Sequence, residues 1–186
     1  MGTVQAILGD DPLLGQTAHA LQVRLSITRG SFLFPQIDTD GFQAGAMLTQ
    51  HPDLMKAVVS HVGIYDMLRV ELSPNGAFNV PEFGTVKDEK QFRAMFAYSP
   101  YHRVEDGVKY PAVLFLTGAN DPRVDPMQSR KMTARLQSAT ASGRPVLLRT
   151  SASSGHGLDT SLSERIEEDV DVYAFLFAEL GVEVRR

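Results

Sequence analysis

The chain has 186 residues, 43% of them hydrophobic, enough for one core and too few for two comfortable domains. With 18 basic and 22 acidic side chains its formal net charge is -4, which gives nucleic acid or an anionic membrane no electrostatic reason to bind. The absence of cysteine excludes disulfides and thiolate-held metals and suits a reducing, cytoplasmic setting, no segment approaches the roughly 20 apolar residues of a membrane span, and the start, MGTVQAILGDD, lacks the features of a signal peptide.

The first 37 residues read differently from the rest. Val4–Leu8 is a short apolar run, Asp10–Gly15 is turn-like, and Leu21, Val23, Leu25 and Ile27 alternate with Gln22, Arg24 and Ser26, the pattern of a strand with one wet face. Arg29-Gly30 turns the chain and Ser31–Phe34 reads as one more short strand closed by Pro35, so these pieces are expected to pair at a sheet edge.

From Gly41 onward strands and helices alternate. Gly41–Gln50 is a helical stretch rich in small residues and stopped by Pro52, and Lys56–Gly63 reads as a buried strand. Residues 64–87, with Pro74-Asn75-Gly76, Pro81 and Gly84, read as a long loop of the kind that covers a site. Glu89–Tyr98 is a short helix ended by Ser99-Pro100. Ala112–Gly118 has the unbroken apolar character of a parallel strand covered on both faces.

Asp125-Pro126 supplies an N-cap and first-turn proline for a helix using Met127, Met132, Leu136 and Ala139 and finished by Gly143. Pro145–Thr150 reads as a third buried strand. Ser161 and Glu164 form a capping box for a last helix that presents Ile166, Val170, Tyr173, Phe177 and Leu180 before Gly181 stops it. Strands alternating with helices predict an α/β fold with a mostly parallel sheet flanked by helices.

Two residues stand where such sheets place chemistry. Asp121 follows the Ala112–Gly118 strand, where a carboxylate can fix a histidine tautomer or merely initiate the turn before Pro122. His156 lies one strand later in Ser154-Gly155-His156-Gly157, placed to act as a general base. Of the other histidines, His51 precedes a helix-ending proline, His61 is expected in the core and His102 in a loop, and no pair has zinc-site spacing. Asp125 is a rival carboxylate better explained as a helix cap, and Arg123 serves either a substrate carbonyl or a neighbouring carboxylate.

The stretches GAMLTQHPDLMKAVVSHVGIYDMLR, FGTVKDEKQFRAMFAYSPYHRV, YPAVLFLTGANDPRVDPMQSRKMTARLQ and SGHG together resemble the prolyl oligopeptidase family, serine peptidases with an α/β-hydrolase catalytic domain. The resemblance runs from about Gly41 to Gly181. It implies a truncated α/β-hydrolase fold, with residues 41–186 the C-terminal part of the catalytic domain and residues 1–40 a divergent leader. It also implies that Asp121 and His156 match the family's catalytic Asp and His, that Arg123 matches an arginine binding the substrate backbone, and that no cofactor or metal is needed.

The family's nucleophile elbow, G-G-S-N-G-G, is replaced here by Gln36-Ile37-Asp38-Thr39-Asp40-Gly41, so Asp38 occupies the serine position. The abrupt change near Gly41 suggests a joined or shifted reading frame. A working hydrolase then needs Asp38 itself or a substitute among Ser31, Ser60, Ser153 and Ser154 as nucleophile, with Ser31 the one whose position is open. The family's proline-stacking tryptophan is also missing, its place taken by Asn79 with Phe78 and Phe83 nearby. An open site of this kind is expected to favour a small ester over a peptide. The alternatives are a catalytically inactive remnant and an assembly module that pairs a partner strand, or a second copy of the chain, along an open sheet edge.

Overall fold

The unbroken apolar run Ala112–Gly118 forms the central strand, β2, and all seven of its residues are buried. In the computed structural model, which describes residues 39–156 and 160–182, β2 lies between β1 (Ala57–His61) and β3 (Val146–Ser151), with both pairings parallel. Ala57 faces Ala112 across the first ladder and Val113 faces Val146 across the second. The two leader strands expected over 21–27 and 31–34 lie outside the described residues.

Parallel neighbours require crossover connections, and helices supply them on one face of the sheet while the last helix covers the other. The helices are α1 (Thr39–Gln50), α2 (Val80–Phe83), α3 (Glu89–Tyr98), α4 (Pro100–Arg103), α5 (Met127–Ala139) and α6 (Leu162–Leu180). Alternation along the strands splits the core in two. Val58, Val113 and Phe115 pack with Leu48 of α1, Tyr65, and Met132 and Leu136 of α5. Ala57, Ala112, Leu114 and Leu116 face the other way and meet Phe175 of α6, flanked by Val172 and Leu176. Tyr65 and Phe115 meet edge to face at 5.2 Å, a pairing that adds to simple burial.

Several expectations are corrected by this packing. The third strand is only half covered: Val146 is buried, but Leu147 on the α6 side is 45% exposed, because α6 lies over β1 and β2 and leaves β3 to the side. Arg149, on that same side, reaches across to Glu168 at 3.2 Å and Asp171 at 2.7 Å. His61 is not a core residue. It is the last residue of β1, its side chain is 53% exposed, and it lies 3.4 Å from Glu168 of α6.

Helix α6 is turned around relative to the expected face. Ile166 and Val170 are 54% and 58% exposed, with Tyr173 and Phe177 also exposed, while Phe175 meets the sheet. Both sides of α6 are apolar, and periodicity alone does not say which one docks. Residues 64–87 are not a plain loop but two 3-10 turns, Val70–Leu72 and Gly76–Asn79, followed by α2. Ile64, Met67 and Val70 join Met95 and Val124 in a core of their own, and Glu71 accepts from the Thr85 hydroxyl at 2.8 Å and the Val86 N–H at 3.1 Å.

A buried charge sits beneath this segment. Asp66 is 1% exposed; its Oδ2 accepts from Lys131 Nζ of α5 and lies 3.4 Å from Arg69, and Lys131 also stands 4.5 Å above the Tyr101 ring. His102 Nδ1 is 3.9 Å from Asp66 Oδ1, and burial pushes the His102 imidazole below its usual value against the pull of that carboxylate. Among the described residues no helix is long and apolar enough to cross a membrane.

Candidate active site

At the C-terminal end of β2 the chain turns at Gly118, and the loop after β3 crosses directly above it. A Cβ at Gly118 would lie 2.2 Å from the Gly155 carbonyl and 2.5 Å from that of Ser154, so the approach of the two loops requires glycine. Ala119 N–H donates to Ser151 O at 2.8 Å, Asn120 N–H to Ser154 O at 3.2 Å, and the Asn120 side chain to Ala152 O at 3.0 Å. The two loops are therefore laced by backbone geometry before any catalytic group is considered.

Gly118→Ala is expected to pry them apart. The displaced atoms are backbone, so relief requires moving the whole loop, at about 1–3 kcal/mol for overpacking. The expected result is a melting temperature several degrees lower, with whatever turnover the chain supports reduced more than tenfold; thermal unfolding and an ester assay check it.

Asp121 combines the two roles that its position left open. Its Oδ1 accepts from the N–H groups of Arg123 at 2.8 Å and Val124 at 2.9 Å, which is the turn-forming role, while Oδ2 lies 2.8 Å from Nδ1 of His156. The Asp121 side chain is fully buried and that of His156 is 16% exposed. Burial pushes the Asp121 carboxyl up, but hydrogen bonds from the His156 ring and from the Val124 and Arg123 amides outweigh it and hold the group below its usual value. An ionised carboxylate at Nδ1 fixes the imidazole tautomer and leaves Nε2 as the proton-accepting nitrogen.

The remaining expected residues fall into separate places. Asp38 and Ser31 lie outside the described residues. Arg123 is exposed, and its carbonyl accepts from Asn75 at 3.4 Å, which holds the 73–79 turn against the Asp121 loop. On that turn Phe78 is 76% exposed and Asn79 is buried. Ser60 is buried with its hydroxyl 2.6 Å from that of Tyr65. Ser153 donates to Glu164 Oε2 at 2.9 Å, and Ser154 Oγ accepts from Thr160 at 3.1 Å. Asp125 caps α5, its Oδ1 accepting from Met127 N–H at 2.9 Å, and that helix ends at Ala139, short of Gly143.

Sequence reasoning missed the part played by Glu164. Ser161 does accept from Glu164 N–H at 3.3 Å, but the Glu164 carboxylate turns to the serines of the His156 loop. The available signal was the density of serines at 151, 153 and 154.

A parallel sheet covered by helices on both faces, with a histidine hydrogen-bonded to a carboxylate from the end of the preceding strand, defines part of an α/β-hydrolase catalytic domain. The model of the prolyl oligopeptidase family matches residues 41–183, and the chain belongs to that family. The chain is 37% identical over 143 residues to a prolyl endopeptidase of Elizabethkingia miricola, a match covering 76% of this chain and 20% of that protein. It is 35% identical over 147 residues to a prolyl endopeptidase of Dictyostelium discoideum, covering 77% and 19%.

Among solved structures, one from a mechanistic study of two prolyl endopeptidases superposes with a TM-score of 0.75 at 42% identity, over 77% of this chain and 21% of that one. Oligopeptidase B of Leishmania major superposes with a TM-score of 0.73 at 26% identity, over 78% and 20%. The chain thus spans about a fifth of the length of the relatives it matches.

Proposed function

We propose that this chain is an acyl hydrolase in which His156 is the general base, Asp121 its orienting carboxylate and Arg123 a substrate contact, with residues 41–186 forming the C-terminal part of the catalytic domain. The observation that carries the reading is the 2.8 Å contact between His156 Nδ1 and Asp121 Oδ2 at the C-terminal end of the sheet. The nucleophile comes from the preceding segment, as Ser31 or as Asp38. With serine, His156 Nε2 takes the hydroxyl proton as Oγ bonds to the substrate carbonyl carbon. The acyl–oxygen bond then breaks, the leaving alcohol receives that proton, and water hydrolyses the acyl-enzyme by the same base.

Short carboxylic esters are the proposed substrates in preference to peptides. The chain contains no tryptophan to stack a proline ring, and an activated ester leaves readily without a complete oxyanion hole. Turnover of p-nitrophenyl butyrate, measured beside a prolyl peptide amide, is expected to favour the ester and to fall more than a hundredfold in His156→Ala. A fluorophosphonate adduct mapped to Ser31 by mass spectrometry names the serine, whereas ester turnover without an adduct moves the nucleophile to Asp38. Ester hydrolysis that is absent, or equal in His156→Ala, overturns the proposal.

A further inference from the structure

We propose that Glu164 is a positioning residue for His156, tying the loop that carries the imidazole to the first turn of α6; the inference rests on His156 being the general base. One carboxylate receives two hydroxyls of that loop. Ser151 donates to Oε1, and Ser153 donates to Oε2 at 2.9 Å. Ser151 Oγ in turn accepts from the Ser154 N–H at 3.2 Å and lies 2.8 Å from Ser154 Oγ, which carries the tie to within two residues of His156. Ser151 is buried, where a hydroxyl-to-carboxylate bond competes little with water, whereas the Ser153 bond lies at the surface.

The Asp121–His156 contact therefore depends on two separate anchors. Asp121 is fixed from its own side by the Arg123 and Val124 amides and needs nothing from α6. His156 is placed by a loop that Ala119 and Asn120 lace to the Asp121 loop and that Ser151 and Ser153 tie to Glu164, and α6 is itself seated on the sheet through Phe175. A residue serving only the helix cap would turn back toward Ser161 and make no use of the two loop serines. Glu164 instead faces the loop, and a hydrogen bond as short as 2.8 Å between His156 and Asp121 tolerates little drift of one partner.

The experiment is 15N spectroscopy of histidine-labelled full chain, which reads the imidazole tautomer of His156 whether or not substrate is turned over, combined with ester kinetics. Wild type is expected to hold His156 mainly as the Nδ1–H tautomer. Glu164→Ala is expected to shift it toward Nε2–H and to lower kcat at least tenfold with KM within twofold of wild type. Ser151→Ala/Ser153→Ala removes the same tie while leaving α6 and its cap untouched, and is expected to do the same. Glu164→Gln restores both readouts, since its amide can accept from Ser151 and donate to Ser153.

An unchanged tautomer in Glu164→Ala and in the double serine variant overturns the tether, as does Glu164→Gln behaving like Glu164→Ala. A wild type lacking the Nδ1–H tautomer overturns both this inference and the reading of His156 beneath it. A wild type with that tautomer, lost in Glu164→Ala, but without ester turnover overturns the hydrolase and leaves the tether standing.

Discussion

Asp121→Asn is expected to lower the proposed ester turnover by roughly 10³–10⁴-fold while leaving the fold intact, the loss that follows when an orienting carboxylate becomes an amide. The geometry dictates which way the new amide faces. The two backbone N–H groups of Arg123 and Val124 both point at Oδ1, so the amide oxygen of the variant stays there and its NH₂ takes the place of Oδ2. That NH₂ donates to His156 Nδ1, which must then be bare, and the ring proton moves to Nε2, the nitrogen that has to accept the nucleophile's proton. Turnover within tenfold of wild type would remove Asp121 from the mechanism.

The same variant has a stability signature with a defined sign. The Asp121 carboxyl is held below its usual value, so its contribution to folding is fully present above the unfolded carboxylate pKa of about 3.9 and is lost as pH falls through the lower folded value. The part of the wild-type margin over Asp121→Asn that comes from the lowered Asp121 carboxyl is therefore lost only in acid, as urea unfolding at falling pH reads it.

Lys131→Met destabilises the chain by about 3 kcal/mol, near the lower end of what is lost when one partner is removed from a buried ion pair. Methionine replaces the length and packing of the lysine stem, so the loss is electrostatic. Asp66 is 1% exposed and its Oδ1 has no hydrogen-bond partner among the described residues, which leaves Lys131 and the more exposed Arg69 to balance the charge. Adding Asp66→Asn removes the uncompensated charge, and the double variant is expected to be more stable than the sum of the singles by at least about 1 kcal/mol. Urea midpoints at neutral pH measure the coupling; strict additivity would show that the two groups do not depend on each other.

The contrast between these two sites explains what the sequence could disclose. Asp121 and His156 are 35 residues apart but lie at the ends of adjacent strands, and those strands are legible because a parallel strand covered on both faces is an unbroken apolar run. The spans read for β1, β2 and β3 agree with the structure to within about two residues at each end, within the usual ambiguity of element boundaries. Asp66 and Lys131 are 65 residues apart, with no period or motif linking them, and only the docking of α5 against the segment after β1 brings them together.

Glu164 was misread for a different reason. Ser-x-x-Glu at a helix start is a local pattern, and a local pattern cannot reveal that the carboxylate has a more distant partner. The orientation of α6 was lost because hydrophobic periodicity identifies apolar sides and this helix has two, with Phe175 on one and Ile166 and Val170 on the other.

Those two sides differ in what heating does to them. Water reaches Phe175 only when the chain unfolds, and the newly wetted ring raises the heat capacity of the unfolded state. Leu162, Ile166 and Val170 are already largely wet in the folded state, so melting adds little hydration there and they contribute little to that difference. Unless something covers the outer side of α6, the free energy of folding bends less with temperature than it would for a chain of equal length with every aliphatic residue inside. Covering that side steepens the curve, which makes the temperature response of this domain a property of its surroundings as well as of its own sequence.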